Sequence, residues 1–185
     1  MMRKNLLPLG LVLLLLIILF AFRQPYNNSI DLHEAYQIAN TEAIKWDASA
    51  KPYFITSVDD SVKSYSVKGT DGTRSYWNFD FVIKGTDKHL IITIQNKSIV
   101  SRIEAESTVE SNYIISIADL RISTADAVTI ARKKYGLLPG IDWAQGYHFV
   151  LENDGAALIL SVVGLDEKGN MKRIYFNART GRVIP

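Results

Sequence analysis

The chain has no cysteine and only three histidines and five prolines in 185 residues. Without cysteine there can be no thiol catalysis, no zinc–thiolate or iron–sulfur site and no thioether-linked lipid. The absence also fits a bacterial exported protein that does without disulfides. His33, His89 and His148 fall on a helix start and two strand candidates, no H-E-x-x-H occurs, and His33-Glu34 lacks a second histidine. No metal site is expected from that scatter. Neither G-x-S-x-G nor S-x-x-K occurs, so the usual serine-hydrolase nucleophile signatures are missing. Gly69-x-x-Gly72 lies between two strand candidates instead of opening a helix, which makes it turn chemistry and not a phosphate loop. Asp59-Asp60 and Asp166-Glu167 sit in turn-prone runs and read as solvated loop charge, not as an acid–base pair. The expectation is a non-enzyme, with no catalytic, metal or cofactor-binding residue.

Charge of one sign is also in short supply. The chain holds 21 Lys and Arg against 19 Asp and Glu, and setting aside Arg3, Lys4 and Arg23 leaves 18 against 19. Everything after residue 23 is near neutral, so the basic stripe that a nucleic-acid partner demands is missing.

What the chain does have is an apolar run. Leu6 to Phe22 is seventeen residues without a charge or a polar side chain. As a helix it would cover about 25 Å, slightly less than a ~30 Å hydrocarbon core. Arg3, Lys4 and Arg23 at its ends can reach the headgroups. A cleaved signal peptide is the competing reading. The run exceeds the usual signal core of ~7–15 residues, and Ala21-Phe22-Arg23-Gln24-Pro25 lacks the small-x-small cleavage pattern. The expectation is an uncleaved single-pass anchor in the cell membrane. Its N-terminus is cytoplasmic, because most of the flanking positive charge precedes the span, and the body is extracytoplasmic.

Residues 24–29 read as a polar tether. Asp31 and Glu34 then form an acidic capping box, with Ile30 placed to staple onto Ala35, and Leu32, Ala35, Tyr36, Ala39, Ala43 and Trp46 make one helical apolar face. From Pro52 the period changes to two. Strands are predicted over Tyr53 to Val58, Ser64 to Lys68, Ser75 to Lys84, His89 to Gln95 and Ile99 to Ile103, with turn residues between them. In the third of these, Trp77, Phe79 and Phe81 share the core parity. Tyr76, and likewise Tyr175 further on, take the opposite parity and are the candidates for a protein-binding face. Tyr113 to Ile117 is either an extra strand or a packed crossover.

The pattern then starts again. Ile122 to Ala131 lies over Ile30 to Ala39 at a constant offset, with Ile30/Ile122, Ala35/Ala127, Ile38/Ile130 and Ala39/Ala131 identical. Ser123 with Asp126 repeats the cap. Arg132, Lys133 and Lys134 fill the last turn before Gly136. Strands are predicted at Gly146 to Glu152, Ala156 to Leu165, Met171 to Asn177 and Arg182 to Ile184. The organisation expected is therefore α+β: anchor 1–23, tether 24–29, a first helix-plus-meander unit 30–104, a connection 105–121 and a second unit 122–185. Each unit is one helix packed on its own antiparallel sheet. Units of ~60 residues are marginal alone, so packing together or forming one continuous sheet would help both.

Ser123-x-x-Asp126-Ala127-x-x-Ile130-Ala131, Tyr147-His-Phe-Val-Leu151, Asp166-x-x-Gly169 and Ile174-Tyr-Phe-Asn-Ala-Arg-Thr-Gly-Arg-Val183 together resemble the PepSY family. Asn177 stands where an acidic residue is more usual. The whole layout resembles the membrane-anchored cell-wall elongation regulators called TseB-like or YpmB-like. That resemblance implies two cystatin-like domains outside the membrane and a non-enzymatic regulatory role. The partner it implies is a membrane-associated protein such as a peptidoglycan synthase or a peptidase. The alternative expectation is an extracytoplasmic small-molecule or glycan-binding domain with a cavity between helix and sheet.

Overall fold

The computed structural model describes residues 28–59, 68–141 and 145–185. The expected anchor, Leu6 to Phe22, and residues 64–67 of the second strand candidate lie outside the described residues. No helix among the described residues is long and apolar enough to cross a membrane.

The elements run α1 (Leu32–Trp46), β1 (Lys51–Ser57), β2 (Tyr76–Val82), β3 (Lys88–Gln95) and β4 (Ser98–Glu106). After two 3-10 turns, Ser111–Tyr113 and Ile117–Asp119, come α2 (Thr124–Tyr135), β5 (His148–Asn153), β6 (Leu158–Leu165), β7 (Met171–Asn177) and β8 (Val183–Ile184). Both helices start as their caps dictate. Asp31 Oδ1 accepts from the Glu34 N–H at 2.8 Å, and Ser123 Oγ accepts from the Asp126 N–H at 3.0 Å. Each bond satisfies one of the amides that a helix leaves free in its first turn. α2 stops at Gly136, whose φ of +61° suits a residue without a Cβ.

The strands form one antiparallel sheet in the order β4-β3-β2-β1-β5-β6-β7-β8. This overturns the expected pair of cystatin-like units, each with its own sheet. β1 and β5 pair directly, through Phe54 with Glu152, Ile55 with Leu151 and Thr56 with Val150. Separate units would each leave the first strand's amides and carbonyls unpaired. Joining the two strands satisfies both edges at once. The segment 107–121 crosses the end of the sheet in 3-10 turns, not as a ninth strand, and hangs on Pro52, Asn153 and Ala178 through the Ile115 N–H, the Ile114 carbonyl and the Arg121 N–H.

The register fixes the faces. Ile92, Phe79, Ile55, Leu151, Leu160, Phe176 and Val183 stand opposite one another from β3 to β8. Directly opposed residues point to the same side, so this is one continuous apolar row. Both helices lie on that side. Ala35, Ala39 and Ala43 of α1 and Ala127, Val128 and Ala131 of α2 are fully buried in the same core. Small residues on those faces let the helices approach the large side chains of the sheet. Ser57 sits beneath the junction of the halves, where Trp77 and Phe149 stack across it with centroids 6.2 Å apart.

Candidate functional site

Because both helices use one face, the other face of the sheet has no helix over it. It is not uniformly wet. Phe54, Ile103 and Tyr175 are exposed, whereas Thr93, Val150 and Ser161 are buried between larger neighbours on the same side. Thr93 Oγ1 donates to Asn78 Oδ1 at 2.8 Å, which satisfies one of the polar pairs in this surface.

Tyr76 and Tyr175 both lie on this open side, with Tyr76 half-buried and Tyr175 39% exposed. They are on β2 and β7, four strand intervals apart, or about 19 Å at ~4.8 Å per interval. The sheet puts them on one surface without bringing them together, so a partner would need to span the middle of the sheet to touch both.

Asp80 and His89 stand at one end of that surface. His89 Nδ1 lies 2.9 and 3.0 Å from the two Asp80 carboxylate oxygens, the Tyr53 ring meets the imidazole edge-on at 5.7 Å, and Tyr113 lies beyond Tyr53. Burial pushes the Asp80 carboxyl above its ordinary range, and His89 pulls it part of the way back. His33 is on the first turn of α1, bonded to Gln37, and His148 is on β5. The three histidines are thus far apart in the fold. Among the described residues no group of three metal-ligating side chains comes together. Asp166 accepts from the Lys168 and Asn170 amides and so organises its own turn.

The sequence reading missed a buried polar node at the opposite end of the sheet. Arg74 is 2% exposed. Its Nη1 donates to the Gln145 and Tyr147 carbonyls at 2.9 and 3.3 Å, and its Nη2 donates to the Val58 carbonyl and Asp59 Oδ1, both at 3.1 Å. Lys68 Nζ stands 3.8 Å from the same carboxylate oxygen. Ser57 Oγ is buried, accepts from the Phe149 N–H at 2.9 Å and lies 3.4 Å from His148 Nδ1, which ties the end of β1 to the start of β5. Arg74 stands in a turn-rich run, and nothing in period or composition marks it as an interior residue.

His148 gives this node a pH signature. Burial pushes its imidazole down to about 4, the Arg74 charge adds to that, and the Ser57 carbonyl and Asp59 oppose it. Between pH ~6.5 and 4 the unfolded chain takes up a proton that the folded chain refuses, so stability falls on acidification. The loss from pH 7 to pH 4 is expected to be about 3 kcal/mol from this group. Asp80, with its raised carboxyl, works in the opposite sense and trims it. Urea midpoints at the two pH values check this, and His148→Gln should flatten the difference.

The space between helices and sheet is lined by buried core side chains. Two recesses border the second half of the fold. One of about 580 Å³ is lined by Arg132, Leu137, Leu138 and Tyr147, and one of about 260 Å³ borders the crossover by Asp119 and Arg179.

No family model and no curated protein sequence matches the chain. A crystal structure of a protein from Clostridium difficile, provisionally assigned as a lipoprotein, does match in three dimensions. The TM-score is 0.57 at 14% identity, over 80% of this chain and 87% of that one. The likeness is one of fold.

Proposed function

We propose that this protein is a non-enzymatic, membrane-anchored extracytoplasmic binding protein that modulates a membrane-associated protein partner. The observation that carries the reading is the one-sided sheet. Two helices cover one face, and the other presents Phe54, Ile103 and Tyr175 to solvent among small polar residues. Such a surface suits a protein partner better than a small molecule, because it is broad and studded with separated aromatic and aliphatic anchors. The uncharged run Leu6 to Phe22 supports the anchor. The fold shared with a chain provisionally assigned as a lipoprotein is in keeping with a body displayed at a membrane.

Anchoring supplies the mechanism. Confinement to the surface where the partner works raises the effective concentration, so a weak contact is still occupied. The resemblance to the cell-wall elongation regulators makes a peptidoglycan synthase or a peptidase the partner class to try first. The test is to compare the whole protein with residues 24–185 released into solution. The released body should keep its circular dichroism spectrum yet fail to complement a deletion strain, whereas full complementation would overturn the reading. In the anchored protein, Tyr76→Ala with Tyr175→Ala should reduce partner recovery from crosslinked membranes by about tenfold or more.

A further inference from the structure

We infer that the β4 edge is built to pair with the β4 edge of a second copy of this chain, in one particular register. β4 closes one side of the sheet, and among the described residues no strand lies beyond it. Nine residues long, it holds no proline, and Val100 and Ile103 are 53% and 55% exposed. Its guards against pairing are the charges of Arg102, Glu104 and Glu106, which repel a partner strand in most registers. Its one irregularity lies at the far end, where Thr93 meets Ser101 and Ile94 meets Ile99, leaving Val100 as the extra residue.

The hydrogen-bonding parity of the free edge can be read from its inner side. The Ser107 N–H donates to the Asp87 carbonyl directly opposite, so backbone groups at 107, 105 and 103 point inward to β3. Those of Arg102, Glu104 and Glu106 therefore point outward and are available to a new strand. Pair two such edges antiparallel about a two-fold axis at Ile103. Arg102, which within its own copy holds Glu42 at 2.9 Å and lies 3.8 Å from Glu104, then also stands opposite Glu104 of the other copy, in the hydrogen-bonded positions. Ile103 meets its own symmetry mate in the non-bonded position, where side chains are closest.

The neighbouring registers do not offer this. Centring on Arg102 sets two guanidinium groups face to face, and centring on Glu104 sets two carboxylates face to face, so charge selects the register between them. On the open face the junction would be apolar, because Ile91 stands beside Ile103 within each copy. Both copies keep their helices on the same side, since a two-fold axis perpendicular to the sheet does not turn it over. This pairing does not depend on the function proposed above.

The absence of native cysteine makes the test direct. Ile103→Cys in the full-length protein, in membranes, places two thiols across the axis at about 4.5 Å between Cα atoms, within disulfide range. Copper–phenanthroline oxidation should give a dimer of twice the chain mass, at least tenfold more than Lys168→Cys on a remote turn. Adding Arg102→Glu should suppress the crosslink, and the swap of Arg102→Glu with Glu104→Arg should restore it. Recovery by the swap also shows that the loss was not unfolding. The inference is overturned if Ile103→Cys crosslinks no better than the control, if the product has the mass of a different partner, or if Arg102→Glu leaves the yield unchanged.

Discussion

Replacing Arg74 with methionine is expected to destabilise the protein by about 3–5 kcal/mol, the range for breaking a buried charge pair from one side. At this chain length that corresponds to a melting point lower by on the order of 10 °C. The guanidinium reaches the Val58 carbonyl and Asp59 just after β1, and the Gln145 and Tyr147 carbonyls just before β5. It therefore fastens the two halves of the sheet at their junction. Methionine fills similar volume but takes the donor from three carbonyls and leaves Asp59 only Lys68 at 3.8 Å and a long bond from the Gln145 N–H at 3.5 Å. Arg74→Lys should recover less than half of the loss, because an ammonium cannot present two parallel N–H pairs to acceptors on both sides. Differential scanning calorimetry of the three proteins decides the matter. If methionine lowers the melting point by less than ~3 °C, the node is not the fastening described here.

Gly72→Ala should cost about 3 kcal/mol through a different contact between the same halves. Gly72 has a φ of +84°, and a Cβ there would stand 2.3 Å from the Ala125 nitrogen and 2.5 Å from its Cα, in the first turn of α2. Backbone on both sides leaves no flexible side chain to give way. Gly85→Ala is the control. Its φ of +80° is nearly the same, but nothing lies within 4 Å of the added atom. Only the left-handed conformation is penalised there, at roughly 1 kcal/mol. The difference between the two variants in denaturant midpoint isolates the price of wedging the 68–74 loop away from α2. Equal losses at the two sites would mean that the loop and the helix are free to part.

Much of the local structure could be read from residue types. Asp31 with Glu34 and Ser123 with Asp126 announce the helix starts, because a capping side chain and its target amide are three residues apart and need nothing distant. Parity along β2 likewise sorts Trp77, Phe79 and Phe81 into the core. The pairing of β1 with β5 was not legible. A strand's alternation says which side faces inward, not which neighbour lies beside it, so Lys51–Ser57 reads alike at an edge or at the centre of a sheet. The tandem of separate units was the natural reading of a repeated helix and meander, and one ladder of hydrogen bonds replaces it with a single sheet. Arg74 escaped notice because arginine is ordinarily a surface residue, and its acceptors come from carbonyls that only the finished fold gathers. Tyr76 and Tyr175 were placed on a shared side by parity alone. Their separation across β1, β5 and β6 depends on the strand order, which parity does not contain.

The strand order also sets a schedule for synthesis. Every other neighbour in the sheet is joined by a short turn or by the connection 58–75, but Phe54 waits for Glu152, 98 positions later. The ribosome delivers residues N-terminus first. Until β5 has emerged, the backbone groups of Ile55, which alternate with those bonded to β2, therefore have no native strand to receive them. Closing that long loop is the slowest contact to find by chance. A nascent chain halted or truncated before residue 148 would keep its middle strand as a sticky rim, which makes early termination products of this protein the ones most prone to aggregate.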